Sequence, residues 1–77
     1  MRLNLKRIKA ERVARGFTQD EVAKKLNMNR SSYIKRENGT TPFGADDLAN
    51  LALILGHYND IQIFFAPSVA KRERIKN

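Results

Sequence analysis

Apart from Tyr33 and Ile34, residues 29–35 carry small, polar and basic side chains at positions where a packing helix would carry apolar ones. Their chemistry suits the reading of base edges. The guanidinium of arginine matches the O6 and N7 acceptors of guanine and discriminates by about 1 to 3 kcal/mol, while serine hydroxyls pair with almost any base. A helix in the major groove presents its N-terminal residues to the bases. The candidate base contacts are therefore Arg30, Ser31, Lys35, Ser32 and Asn29.

Two short helices with a tight turn between them are predicted to position these side chains. Thr18 and Glu21 have the spacing of a capping box, in which each side chain bonds to the backbone N–H of the other. Apolar residues then recur at helical spacing up to Leu26. Asn27 tolerates the left-handed conformation of a sharp corner, and Asn29 is a good N-cap for the second helix.

The second helix of the pair is predicted to span residues 30–38. Tyr33 is its main candidate for burial, and Gly39 ends it, as the residue preferred just past a helix C-terminus. The pattern thus predicts one buried side and one outward side for this helix.

One helix is predicted on each side of this pair, over residues 4–15 and over residues 46–55. Asp46 and Asp47 open the later helix, where two adjacent carboxylates are better explained by the helix dipole than by catalysis. The apolar residues expected to face inward on the earlier helix are Leu5, Ile8 and Val13.

In their order and spacing, these motifs resemble the helix-turn-helix of the phage repressor and Cro family, also called the xenobiotic-response-element family. The likeness runs from about Ile8 to Phe65. It is carried by I-K-A-E-R from residue 8, G-F-T-Q-x-E-V-A from residue 16, L-x-M-x-R-S-S-Y from residue 26, E-N-G from residue 37 and L-A-x-L-A-x-x-L-G from residue 48.

The resemblance implies an all-α fold, a compact bundle of about five short helices of the lambda-repressor-like type with a central helix-turn-helix. Residues 1–66 would form the DNA-binding domain, and residues 67–77 a basic C-terminal tail that touches phosphates or stays solvated. In the family an arginine pairs with the glutamate of the E-N-G motif. The resemblance therefore implies a structural ion pair between Arg12 and Glu37.

Backbone contacts are implied at both ends of the recognition helix. The family counterpart of Gln19 binds a DNA phosphate, and the loop beyond the recognition helix clamps others. Arg36 stands where the family usually has an apolar or aromatic residue, and would join these contacts if it faced DNA. The candidate phosphate contacts are Gln19, Thr18, Asn38, Thr40, Thr41 and Arg36.

Apolar side chains are abundant in residues 48–65. Residues 58–65 fit a short helix and also a strand with alternating isoleucines, and the resemblance favours the helix. An excess of apolar side chains predicts a homodimer contact through residues 48–65. The alternative is that all of them complete the core of a single chain.

Basic residues are concentrated in the half that contains the helix-turn-helix. Residues 1–39 hold eleven Lys or Arg and four acids, residues 40–70 hold three acids and no Lys or Arg, and residues 71–77 hold four Lys or Arg and one acid. Such a localised positive charge is typical of a protein that binds a polyanion.

The function expected from these features is sequence-specific regulation of transcription by a homodimer on a palindromic operator in double-stranded DNA. Repression by blocking polymerase is the simplest mode, and activation through the acidic half is the other. A rival hypothesis is an antitoxin-like module with a protein partner and secondary, autoregulatory DNA binding. A third is a basic binder of nucleic acid without sequence preference.

Other classes of protein are less compatible with the sequence. The absence of cysteine excludes disulfides and thiolate metal sites, and no cofactor or metal is expected. His57 follows Gly56 at a helix end, where capping or exposure is more plausible than catalysis, so an enzyme is not expected. No apolar run suits a membrane span or signal peptide, which predicts a cytoplasmic, nucleoid-associated protein.

Overall fold

The computed structural model describes residues 3–57 and 61–65. The predictions made for the tail at residues 67–77 lie outside this part of the chain. No helix among the described residues has the length and hydropathy of a membrane span. The helices are Leu5–Ala14 (α1), Gln19–Lys25 (α2), Arg30–Glu37 (α3) and Ala45–Ile54 (α4), followed by a 3-10 helix at Ile61–Phe64.

The all-helical prediction is confirmed for the described residues, with a correction to the helix count. Four α-helices are present where about five helices were expected, and the last element is a single 3-10 turn. Residues 61–64 form a short helix of the 3-10 type, and no strand of the predicted alternating kind is present among the described residues. Phe65 forms an isolated antiparallel bridge with Leu3, and the Phe64 carbonyl accepts a hydrogen bond of 2.6 Å from the Asn4 N–H. The C-terminal apolar segment is thereby fastened beside the start of α1.

One hydrophobic core collects side chains from all five elements. Tyr33 of α3 lies at its centre and meets Phe43 edge to face, with 6.1 Å between the ring centroids. The buried apolar residues are Ile8, Val22, Ala23, Leu26, Tyr33, Phe43, Leu51, Ala52, Leu55 and Phe64. Because several of these belong to residues 48–65, much of the apolar surface predicted to form a dimer contact is used within one chain.

The predicted inward position of Val13 is wrong. Its side chain is 57% exposed, whereas Arg12 is buried beside Ile8 on the inner face of α1. Residues 8 and 12 are separated by four positions and share a helix face, while residue 13 is turned about 100° further around the axis. Arg12 can occupy this inward position because its ion-pair partner, Glu37 of α3, is buried beside it.

The two acids at the start of α4 lie in its first turn, as predicted, although the helix begins one residue earlier, at Ala45. The Asp47 carboxylate accepts a hydrogen bond of 3.2 Å from the Gly44 N–H. Carboxylates at a helix N-terminus accept hydrogen bonds from its free backbone N–H groups. Their negative charge also interacts favourably with the positive end of the helix dipole. Asp47 therefore caps α4, and Asp46 lies where its charge interacts favourably with the helix dipole.

The corner between α2 and α3 depends on a left-handed residue. Asn27 has a φ of 59°, and its N–H and that of Met28 bond to carbonyls of α2 at 3.0 Å each. Asn29 then caps α3. The predicted role of Asn27 in turning the chain is confirmed.

Asn27→Ala is expected to lower the free energy of unfolding by about 1 kcal/mol, because alanine is less tolerant than asparagine of the left-handed region that this residue occupies. Asn27→Gly is the matched control, and glycine should equal or exceed the wild type. Urea denaturation of the three proteins measures the difference. Equal stability of the alanine and glycine variants would show that the corner does not constrain this residue.

Candidate nucleic-acid interface

The N-terminal half of α3 has a fixed backbone and outward side chains. The Asn29 side-chain oxygen accepts from the Ser32 N–H at 2.8 Å and from the Ser31 hydroxyl at 3.0 Å. Arg30, Ser31 and Lys35 are exposed, and Ser32 is half-buried. Ser31 and Lys35 are four residues apart and share one face, while Tyr33 and Glu37 share the buried face. Ser31 and Lys35 thus share one exposed face, and Arg30 is exposed in the first turn of α3.

The start of α2 lies beside Arg30. Thr18 and Glu21 form the predicted capping box, with hydrogen bonds of 2.8 and 3.0 Å. The backbone hydrogen bond from Thr18 lowers the pKa of Glu21 below its ordinary value. Thr18, Gln19 and Arg30 line one open cleft, together with Arg12 and Asp20. Two candidate phosphate contacts therefore adjoin the N-terminus of the recognition helix.

A buried carboxylate joins α1, α2 and α3 behind this cleft. Glu37 accepts two hydrogen bonds from Arg12, at 2.8 and 3.1 Å, so the two residues expected to pair do so. It also accepts from the Gln19 amide at 3.1 Å and the Tyr33 hydroxyl at 2.5 Å. Arg12 donates in addition to the Phe17 carbonyl at 2.8 Å. The network fixes the start of α2 against the end of α3.

The network also shifts the ionisation of its members. Burial raises the pKa of Glu37, but hydrogen bonds from Arg12, Tyr33 and Gln19 outweigh it and hold the pKa below the ordinary value of 4.5. The hydrogen bond with Glu37 raises the pKa of Arg12. Burial and the adjacent carboxylate raise the pKa of Tyr33, so its hydroxyl remains a donor. The buried pair stays ionised at neutral pH.

The loop beyond α3 is organised by its own hydrogen bonds. Gly39 has a φ of 90°, and a β-carbon there would come within 3.2 Å of Leu5. The Asn38 side-chain oxygen accepts from the Thr40 N–H at 3.0 Å and the Thr40 hydroxyl at 2.7 Å. The N–H groups of Thr40 and Thr41 bond to the Lys35 carbonyl, at 2.8 and 3.1 Å. Three candidate phosphate contacts thus lie together at the C-terminal end of the recognition helix.

A helix-turn-helix family model matches residues 8–59, about two thirds of the chain. The chain belongs to the Cro/C1-type helix-turn-helix family. No curated protein and no solved structure matches it significantly. Membership makes it a DNA-binding regulator of transcription, and the family is regulatory rather than enzymatic.

In this helix-turn-helix protein Arg36 is directed toward α4. Its guanidinium donates to the Ser32 carbonyl at 2.9 Å, and its Nε lies 3.4 Å from a carboxylate oxygen of Asp47. The Nε–H is buried and makes no hydrogen bond, so the contact with Asp47 is electrostatic. A phosphate contact by Arg36 would require it to leave both partners. Arg36 lines a small pocket with Thr41, another candidate phosphate contact, while its guanidinium is held by Ser32 and Asp47.

His57 has a role that its position in the sequence did not indicate. It is half-buried, and its backbone N–H caps α4 by donating to the Ala52 carbonyl at 2.8 Å, as expected. Its side-chain Nε2 lies 2.7 Å from a carboxylate oxygen of Glu11. Arg7 and Arg15 bond to the same carboxylate, each at 2.8 Å. The hydrogen bond from His57, followed by that from Arg7, lowers the pKa of Glu11. This cluster ties the end of α4 to α1.

Two lysines that the sequence analysis did not single out border the interface. Lys6 and Lys9 of α1 line an open groove together with Gln19, Asn38, Leu5 and Glu37. Their separation by three positions places both on one face of α1. This spacing is the one sequence signal that could have identified the two lysines as a pair. Because it is common on solvent-exposed helices, it did not distinguish them.

The helix-turn-helix is expected to lose stability in acid through Glu37. The unfolded chain protonates this carboxylate more readily than the folded protein does, so its contribution is complete above pH 4.5 and is lost as the pH falls through the lower folded-state pKa. Glu11 and Glu21 act in the same direction, so the informative comparison is between wild type and Glu37→Gln. Urea denaturation between about pH 6 and pH 3 should show a smaller loss in the variant. Equal losses would contradict this assignment.

Proposed function

We propose that this helix-turn-helix protein is a sequence-specific repressor that binds a palindromic operator as a homodimer, with α3 in the major groove. The observation that carries the proposal is the exposed face of α3. Arg30, Ser31 and Lys35 are exposed on a capped helix that is anchored in the protein by the buried side chains of Tyr33 and Glu37. In a groove-bound helix these positions approach base edges, with Ser32 and Asn29 beside them.

The sugar-phosphate backbone is bound, in this proposal, at both ends of α3. Thr18 and Gln19 contact it at the start of α2, and Asn38, Thr40 and Thr41 contact it from the loop after α3. The cleft shared by Gln19 and Arg30 supports the first set, and the hydrogen-bonded loop supports the second. Such contacts set the register of the helix and carry no sequence information by themselves.

The test of sequence-specific binding is selection of bound duplexes from a random pool at about 150 mM salt, where non-specific binding is weak. An enriched palindrome with half-sites about 34 Å apart is expected, since two subunits place their recognition helices one DNA turn apart. Placing the enriched site across a promoter should then lower transcription in a purified system. Failure to enrich any site, or unchanged transcription, would contradict the proposal.

The proposed dimer contact lies on α4, within residues 48–65; residues 58–60 of this range lie outside the described part of the chain. Leu53 is 57% exposed there, while Leu51 and Ala52 are buried within the chain. An apolar side chain of that size gains about 1.5 to 3 kcal/mol when it is fully buried. Two copies related by a two-fold axis would bury Leu53 of each subunit.

Leu53→Asp is expected to raise the dissociation constant of the dimer by about tenfold or more, since each tenfold step corresponds to about 1.4 kcal/mol. Val13→Asp is a matched control, because Val13 is also 57% exposed and lies on α1. Sedimentation equilibrium of the three proteins measures the constants. A monomeric wild type, or equal effects of the two substitutions, would contradict a dimer through α4.

A further inference from the structure

The four cationic residues of α1 and its C-cap Arg15 divide into two sets by their partners. Arg7 and Arg15 bond to Glu11, and Arg12 bonds to Glu37. Lys6 and Lys9 are exposed and have no ion-pair partner among the described residues. The three arginines are therefore engaged with carboxylates of the same chain, and the two lysines keep their charge available to an outside anion.

The groove lined by Lys6 and Lys9 continues into the proposed DNA-binding surface. Asn38 forms part of its wall, and Gln19 lines both this groove and the cleft that contains Arg30. The acid in the groove is Glu37, whose side chain is 4% exposed and already paired with Arg12. The groove therefore presents two unpaired positive charges and no unpaired negative one.

We propose that Lys6 and Lys9 bind backbone phosphates of the DNA strand that passes Gln19 and Asn38, and so extend the interface onto α1. This inference rests on the proposed function, in which α3 enters the major groove. Lysine suits the role because its ammonium is a point charge on a flexible stem and needs no fixed acceptor geometry. The contact adds affinity and salt dependence and leaves base preference unchanged.

The test is the salt dependence of binding by Lys6→Gln/Lys9→Gln. Each phosphate contact contributes about 0.9 to the slope of log K against log salt concentration, so the double variant should lose about 1.8. Lys24→Gln/Lys25→Gln removes the same charge and is the matched control. Lys24 pairs with Asp20, Lys25 lies 5.4 Å from the centroid of the Phe17 ring, and neither lines the groove or the cleft. The control should lose less than half as much slope.

Binding is measured on the selected operator and on an unrelated duplex, because phosphate contacts persist on any sequence. The inference is supported if the salt-dependence slope of Lys6→Gln/Lys9→Gln is reduced on both duplexes and Lys24→Gln/Lys25→Gln loses less than half as much slope. A slope equal to that of wild type, or equal losses in the two double variants, overturns it. If no operator is enriched but the slope still falls on the unrelated duplex, the proposed function fails while the lysine contacts stand. Matching thermal melts confirm that the variants fold.

Discussion

Glu37→Ala lowers the free energy of unfolding by about 3 to 5 kcal/mol, the range typical when one partner of a buried ion pair is removed. The Arg12 and Glu37 side chains are 9% and 4% exposed, so the guanidinium left behind would have little access to water. The amide of Gln19 and the hydroxyl of Tyr33 would also lose their acceptor. Unsatisfied buried donors each cost about 1 to 3 kcal/mol.

The control for this variant is Glu21→Ala, which removes an exposed carboxylate that caps α2. Loss of a cap contact typically costs about 0.5 to 2 kcal/mol, so Glu21→Ala should melt well above Glu37→Ala. A double variant, Arg12→Met with Glu37→Leu, should recover part of the loss because no uncompensated charge remains. Thermal and urea denaturation measure all three. A Glu37→Ala protein as stable as wild type would contradict the structural role of the pair.

Arg30→Ala reduces binding to the selected operator by about 5- to 150-fold, which corresponds to the 1 to 3 kcal/mol that a bidentate arginine–guanine contact contributes to discrimination. The same variant should relax the base preference at one position of each half-site. Binding to an unrelated duplex should change much less, since base contacts are made only at the operator. Fluorescence anisotropy on the two duplexes gives both affinities.

Arg30→Lys is the sharper control, because it keeps the positive charge and removes the planar fork. If Arg30 reads a guanine, the Arg30→Lys variant should retain affinity for an unrelated duplex but lose much of the preference for guanine in the operator. If Arg30 contributes charge alone, lysine should behave like wild type on both duplexes. The second result would remove Arg30 from the proposed base contacts.

Local rules predicted the helix-turn-helix well. The Thr18 capping box, the left-handed Asn27, the Asn29 cap and the Gly39 stop were all expected, and all are present. Each depends on the chemistry of neighbouring residues, so a single sequence contains the needed information. The helix that these signals define, α3, carries all but one of the candidate base contacts.

Features that depend on distant partners were harder to predict. The periodicity of apolar residues predicted that Val13 faces inward. Periodicity alone cannot reveal that Arg12 is buried with a partner 25 residues away. The direction of Arg36 depends on Asp47 of α4, and the position of His57 depends on Glu11 of α1. The 3-10 helix is held by a backbone contact with Asn4, which neither helical nor strand periodicity reveals. Tertiary contacts decide such positions.

In the proposed complex Arg30 reads a guanine from the major groove. The most direct test replaces that guanine with 7-deazaguanine, which removes the N7 acceptor from the major-groove edge and leaves Watson–Crick pairing intact. Wild type should bind the modified operator more weakly, whereas Arg30→Ala should bind both operators alike, because the contact is already lost. Equal weakening of wild type and Arg30→Ala, or no weakening of either, would contradict the proposed contact between Arg30 and guanine.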